Sequence, residues 1–212
     1  MEKTKALKIF NLLDDYIKNP ESELNYTTNF ELLIAVMLSA QCTDKRVNLV
    51  TAELFKKYNT PQQFASISLV ELEQLIHPCG FFHNKAKNII ACSKMIVEKF
   101  NGEVPNTFDD LVNLPGVGRK TANVMLIVAF GKPAIPVDTH VFRVSNRLGL
   151  TNAKTETECE MQLKELFASE KHLWGKLHHL ILLYGRYNCK AIKPDCNNCI
   201  LKQFCKEYNN KH

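Results

Sequence analysis

The stretch FELLIAVMLSAQ, residues 30–41, constrains the fold more than any other part of the chain. Apart from Glu31 it is apolar nearly all round when wound as a helix. A helix without a polar face has to be enclosed by other elements, so this one is expected to be central and buried. The remaining sequence supplies helices to enclose it. Leu7, Ile9, Phe10, Leu12, Leu13, Tyr16 and Ile17 recur at helical spacing and predict a first helix over 7–18. NPESELNYTT, 19–28, reads as a loop, with Thr28 or Asn29 placed to cap the buried helix. Ser68 and Glu71 read as a capping box ahead of LEQLIH, and Pro78 and Gly80 break the chain after it.

Ala86, Ile89, Ile90, Ser93, Ile96, Val97 and Phe100 predict a helix over 85–100 that Gly102 ends. Thr107 opens a short helix to about Asn113, and a second runs over 119–130. Asp138 stands where a cap for THVFRVSNRLG belongs, and two more helices follow over 155–168 and 171–185. The sequence carries no strand alternation and no repeat, so the fold class is all-α. The loops at 19–28 and 131–137 can divide the chain into two lobes. The first helix would then pack with the C-terminal half.

Composition narrows the function classes. With 45% apolar and 23% charged residues the chain reads as an ordinary globular protein. The apolar charge-free runs 32–43 and 121–131 fall short of the roughly 18–20 residues that cross a bilayer. MEKTKALKIFNLLDDYIK has no signal-peptide pattern, so a cytoplasmic protein is expected. A net charge of +5 favours an anionic partner.

LPGVGRKTANV, 114–124, places Lys120 at the start of an apolar helix behind a glycine turn. It is not a P-loop, because Arg119 separates Gly118 from Lys120. It is not a dinucleotide fingerprint, because Thr121 stands where a small residue is needed and no strand precedes it. A hairpin between two short helices remains. Gly116 and Gly118 are expected to permit positive dihedrals and to leave backbone N–H groups bare at a helix N-terminus, where an anion such as a DNA phosphate is favoured. A plain helix–helix corner is the alternative.

Cys189, Cys196, Cys199 and Cys205 follow the spacing C-x6-C-x2-C-x5-C. Four thiolates so close suit tetrahedral zinc or an iron–sulfur cube. Arg186, Lys190, Lys193, Lys202 and Lys206 surround them, against Asp195 and Glu207. Such an edge suits contact with a phosphate backbone, or is a solvated charged face.

The hairpin with Lys120, VDTHVFRVSNRLG with Asp138, and the cysteine loop together closely resemble the endonuclease III family of helix-hairpin-helix DNA glycosylases. FELLIAVMLSAQCTDKRVN and LILLYGRYNCKAIKPDC resemble it too, and the motifs run in order from about residue 30 to 205. The resemblance implies two helical lobes flanking a DNA-binding cleft. A six-helix barrel would span 22–132 and contain the hairpin at about 108–130. Residues 1–21 and 133–212 would form the second lobe with a [4Fe-4S] cluster. It implies action on double-stranded DNA with damaged pyrimidines or abasic sites; a monomer is expected, since a small glycosylase needs no second subunit and the sequence offers no dimerising helix.

Position by position, the resemblance makes Lys120 the nucleophile, Asp138 the catalytic carboxylate and the four clustered cysteines the cluster ligands. Gln41 would fill the gap left by a flipped nucleotide. Phe81 stands where relatives carry a leucine wedge. Gly116, Gly118, Arg119 and Lys193 are the further expected DNA contacts. Cys42 replaces the small alanine expected after Gln41. A related adenine glycosylase would carry serine at Lys120 and glutamate at Ala35, so both positions argue against it.

The chemistry needs these residue types. A base inside a duplex must be flipped out before its bond to the sugar can be attacked. An amine can displace the base and form an imine with the opened sugar, which a hydroxyl cannot do. The imine acidifies the C2′ hydrogen and permits β-elimination. Free lysine is only about 0.1% neutral near pH 7.4, so helix dipole and burial are expected to depress the Lys120 pKa. A non-catalytic metal-bearing DNA-binding module is the rival from another class; it has no need of Lys120 and Asp138 together. His140 and Ser39 read as mainly structural, and Asp44 as a residue near the hairpin or pocket.

Overall fold

Short polar side chains cut the chain into helices. Thr28, Thr43, Thr60, Ser68, Thr107 and Thr155 each accept the backbone N–H three residues on. Each thereby satisfies a donor that a helix start leaves without an intrahelical partner. The computed structural model describes residues 2–210. It divides into two compact units, one comprising Met1–Ser22 with Lys132–His212 and the other Glu23–Gly131.

The unit of residues 23–131 contains α2 (Asn29–Leu38), α3 (Asp44–Lys57), α4 (Pro61–Ser66), α5 (Leu69–Ile76), α6 (Phe82–Phe100), α7 (Phe108–Val112) and α8 (Arg119–Val128). Every residue of α2 from Phe30 to Leu38 is buried, and α3, α6 and α8 pack against it. Glu31 is buried with its neighbours because Thr27 donates to its carboxylate from both the backbone N–H and the hydroxyl, each at 2.6 Å. Phe30 meets Phe64 of α4 edge-on, with ring centroids 5.4 Å apart.

The other unit contains α1 (Lys3–Tyr16), α9 (Thr139–Leu148), α10 (Glu156–Leu166), α11 (Trp174–Tyr187) and α12 (Lys206–Asn209). Ala6, Ile9, Phe10 and Leu13 on one stripe of α1 share a core with Ile135, Val141, Val144, Leu177 and Ile181. Trp174 donates its indole N–H to the Phe167 carbonyl at 2.9 Å, and His178 Nδ1 donates to the Pro136 carbonyl at 2.7 Å. Both polar tips are therefore satisfied inside the core. Among the described residues no helix is long and apolar enough to cross a membrane.

Several elements differ from the sequence-based expectation. α1 begins four residues early, at Lys3, and Ile17 beyond it is already extended. The buried helix ends at Leu38, because Gln41 lies in the left-handed region at φ 54° and cannot continue it. Ser68 caps α5, but the Glu71 carboxylate accepts the Tyr58 hydroxyl at 2.6 Å. The reciprocal capping box is instead formed by Thr60 and Gln63 at α4. α3 and α4 escape the periodicity reading: α3 buries only a narrow stripe of Val47, Val50, Thr51 and Leu54 on an otherwise charged helix, and α4 is less than two turns long.

The turn from α7 to α8 separates the roles of its two glycines. Gly116 has φ 77°, and a Cβ there would stand 2.7 Å from Asn88 Cβ and 2.9 Å from Met37 Cε. Gly118 is the N-cap of α8 at φ −89°, ψ 175°, an extended conformation open to any residue. A Cβ on Gly118 would meet nothing within 4 Å. The expected positive dihedral is thus found at Gly116 and not at Gly118. Gly116→Ala should destabilise the protein by about 1–3 kcal/mol in denaturant unfolding, through strain and overlap. Gly118→Ala should leave stability within about 0.5 kcal/mol of the parent. Equal losses in the two variants would contradict this division of roles.

Candidate nucleic-acid interface and metal centre

The start of α8 concentrates positive charge. No side chain caps Gly118, and the first turn holds no acidic residue. The helix dipole there is reinforced by Arg119 and Lys120, both exposed. Arg119 lies over the Phe108 ring at 4.9 Å, which fixes it across the turn. Lys120 stands in the first turn of α8, at the positive end of the helix dipole.

Gln41 and Phe81 belong to the same unit as the hairpin and share an unusual feature. Both are exposed, and both hold left-handed backbone, at φ 54° and 58°. Phe81 leaves 66% of its surface in solvent, which is high for an aromatic ring. Ser39 donates its hydroxyl to the Val36 carbonyl at 2.8 Å, in keeping with a structural role. Asp44 is the first residue of α3, capped by Thr43.

In the other unit Asp138 is the N-cap of α9. Its Oδ1 accepts the N–H groups of His140 at 2.9 Å and Val141 at 2.8 Å. Both bonds fall on Oδ1, which orients the carboxylate. His140 Nδ1 accepts from Arg143 Nη2 at 3.2 Å.

Cys189, Cys196, Cys199 and Cys205 line one cavity of about 580 Å³, together with Arg147 and Tyr184. Among the described residues no three His, Cys, Asp or Glu side chains are gathered closely enough to hold one metal ion. The loop is pinned from α9, an anchorage that the cysteine spacing does not reveal. Arg143 donates to the carbonyls of Gly185 at 2.8 Å and Cys189 at 3.1 Å. Arg147 donates to the Lys190 carbonyl at 2.7 Å, lies 3.6 Å from the Cys189 sulfur and pairs with Glu207 at 3.0 Å. The Tyr184 hydroxyl is 3.0 Å from the Cys199 sulfur. The signal was present in FRVSNRLG: arginines four residues apart share one face of a helix.

Asp195 accepts from the backbone and side-chain N–H groups of Asn198, at 3.4 and 2.8 Å. Those bonds hold its carboxyl below the usual carboxylate range and turn the loop between Cys196 and Cys199. Lys190, Ile192 and Lys193 form an exposed tip, with Lys193 at φ 49°. Lys202 instead lies over the Tyr208 ring at 5.0 Å.

Residues 34–169 match the family model for the HhH-GPD superfamily base excision DNA repair protein. Endonuclease III of Bacillus subtilis is 49% identical, covering 92% of this chain and 89% of its own length. The fold superposes on a trapped endonuclease III–DNA covalent intermediate with TM-score 0.95 and 45% identity, covering 100% of this chain and 99% of that one. A non-covalent endonuclease III–DNA complex matches with TM-score 0.94 at 45% identity, covering 100% and 98%. An all-helical architecture, a glycine hairpin carrying Lys120 and a C-terminal set of four cysteines thus coincide with full-length similarity: the chain belongs to the endonuclease III family of base excision repair glycosylases with AP lyase activity.

Proposed function

We propose that this chain excises oxidised pyrimidines from duplex DNA and nicks the strand 3′ to the abasic site, with Lys120 as nucleophile and Asp138 as the assisting carboxylate. The observation that carries this reading is the full-length match to a relative trapped in a covalent bond to DNA. Such a bond needs a nucleophile, and Lys120 is an exposed amine in the first turn of the hairpin helix. The amine attacks C1′ of the flipped nucleotide and the base departs. The resulting imine makes the C2′ hydrogen acidic, and its loss expels the 3′ phosphate. The Asp138 carboxylate, oriented by the helix cap at Oδ1, balances cationic character on the sugar or moves a proton.

The neighbouring residues support DNA binding. Gly118 has neither a dihedral nor a packing reason to be glycine. A bare N–H at a helix start lets a phosphate approach closely, and Arg119 adds charge beside it. Gln41 and Phe81, on exposed left-handed tips, are suited to fill the gap left by the flipped nucleotide and to wedge between bases. Lys193, on the exposed tip of the cysteine loop, suits a phosphate contact.

The four cysteines fit a [4Fe-4S] cluster. They supply the thiolate set it requires, and they line one cavity roomy enough for a group of several atoms. Cys189, Cys196, Cys199 and Cys205 would hold it, with Arg147 and Tyr184 directing N–H and O–H groups toward the sulfurs. When bound, the cluster supplies iron–thiolate bonds that close the loop.

Borohydride added to the protein with thymine-glycol duplex should trap a covalent band on a denaturing gel. Lys120→Ala should give none while keeping its helical circular dichroism. Asp138→Asn retains a capping residue, so it should keep stability yet lower the rate about 100-fold or more, whereas Asp138→Ala should lose both. Gly118→Ala should weaken DNA binding without loss of stability. An undiminished band in Lys120→Ala would remove the nucleophile assignment.

The purified protein should be brown, absorb near about 400 nm and carry roughly four irons per chain. Cys199→Ser should lower both signals. A colourless protein holding one zinc would overturn the cluster assignment.

A further inference from the structure

Different donors close the last carbonyls of α2. The Ser39 N–H bonds to the Ala35 carbonyl at 2.9 Å, and the Ser39 hydroxyl to that of Val36 at 2.8 Å. The Leu38 carbonyl receives the Lys85 ammonium, which reaches it from α6 at 2.9 Å in a buried bond. Had the helix continued, the partner of Leu38 would be the N–H of Cys42, four residues on. That N–H goes instead to the Ser39 carbonyl at 3.1 Å, and Gln41 before it turns left-handed at φ 54°.

The backbone of Lys85 belongs to a second turn. Its N–H bonds to the Phe81 carbonyl at 3.1 Å, where α6 opens. Phe81 is the N-cap there, left-handed at φ 58° and with no side-chain cap bond. Lys85 is thus bonded through its backbone to the turn that carries Phe81 and through its side chain to the turn that carries Gln41. The hairpin leans on the same junction. Met37, next to Leu38, and Asn88, three residues after Lys85 on α6, are what a Cβ on Gly116 would strike.

We propose that Lys85 is a positioning residue that fixes the spacing of Gln41 and Phe81, so that the two side chains enter a duplex together. This rests on the inserting roles proposed above for Gln41 and Phe81.

Lysine is a costly choice for this place if packing were all it did. Only 8% of it is exposed. Burial pushes the pKa of its ammonium below the ordinary lysine value. An apolar side chain of similar length would fill the space without burying a charge. It could not donate a hydrogen bond. Without a donor, the buried Leu38 carbonyl regains a partner most directly by one more turn of helix, which brings the Cys42 N–H onto it. Gln41 would then leave its left-handed backbone, which is strained for a residue with a Cβ. Its side chain would swing off the tip, while Phe81, held by α6, would not follow. Displacement by about an ångström is enough to misplace groups that must insert into a duplex.

The full chain carrying Lys85→Met would be compared with the parent in two single-turnover assays. One follows base excision from a duplex containing thymine glycol, which needs a gap filled and a wedge inserted. The other follows strand cleavage at an abasic site in a single-stranded oligonucleotide, which needs neither. Lys85→Met should slow duplex excision about 10- to 100-fold and leave single-strand cleavage within about twofold of the parent. Gln41→Ala should slow duplex excision in the parent yet add little in Lys85→Met, because the two act through one group. Lys85→Gln keeps an N–H donor on a shorter stem. It takes the place of Lys85→Met if that variant loses its helical circular dichroism, and it should slow the duplex reaction alone. Equal slowing on both substrates in the folded variant would reduce Lys85 to a structural residue and overturn the proposal. Undiminished duplex excision, or full additivity with Gln41→Ala, would overturn it too. A parent inactive on both substrates would overturn the proposed function itself, and this proposal with it.

Discussion

Burial of α2 on all sides is the constraint from which the unit of residues 23–131 is built. An element with no polar face is stable only when enclosed, and α3, α6 and α8 do the enclosing. The one charge in the helix, Glu31, sits in its first turn, where the positive end of the dipole and two donors from Thr27 stabilise it. The same enclosure sets the hairpin. Met37 of α2 and Asn88 of α6 press against Gly116, so the turn ahead of α8 can be made only by a residue without a Cβ. The position of Lys120 therefore depends on the packing of a helix far away in sequence.

In the unit of residues 1–22 and 132–212, α9 has a comparable place. Its N-terminus holds the Asp138 carboxylate by two backbone bonds, and one of its faces holds the cysteine loop through Arg143 and Arg147. One helix thus orients a candidate catalytic oxygen at its end and braces the candidate cluster loop along its side. Bonds from arginine to the loop carbonyls satisfy backbone groups that an irregular segment would otherwise leave unpaired.

Legibility followed the range of the forces involved. Caps were readable because the interaction spans three residues: Thr28, Ser68, Thr107 and Asp138 all stand where the pattern placed them. The Glu71 half of a capping box failed because a distant residue, Tyr58, took its carboxylate. α3 stayed hidden because a helix pressed along a narrow stripe needs few apolar residues. Gly118 was misread as a positive-dihedral position because sequence shows that a residue is glycine and not which of its freedoms is used.

By itself the sequence determined the all-helical class, the helix starts, the hairpin, the four-cysteine set and the family. These rest on local periodicity, on capping across a few residues and on motif order along the chain. Only the tertiary structure decided that Gly116 is forced while Gly118 is free, that Gln41 and Phe81 stand on left-handed tips, and that Arg143 and Arg147 brace the cysteine loop. Each of these depends on which side chains arrive from other helices. Contacts between segments distant along the chain follow from packing as a whole and leave no periodic trace in either segment.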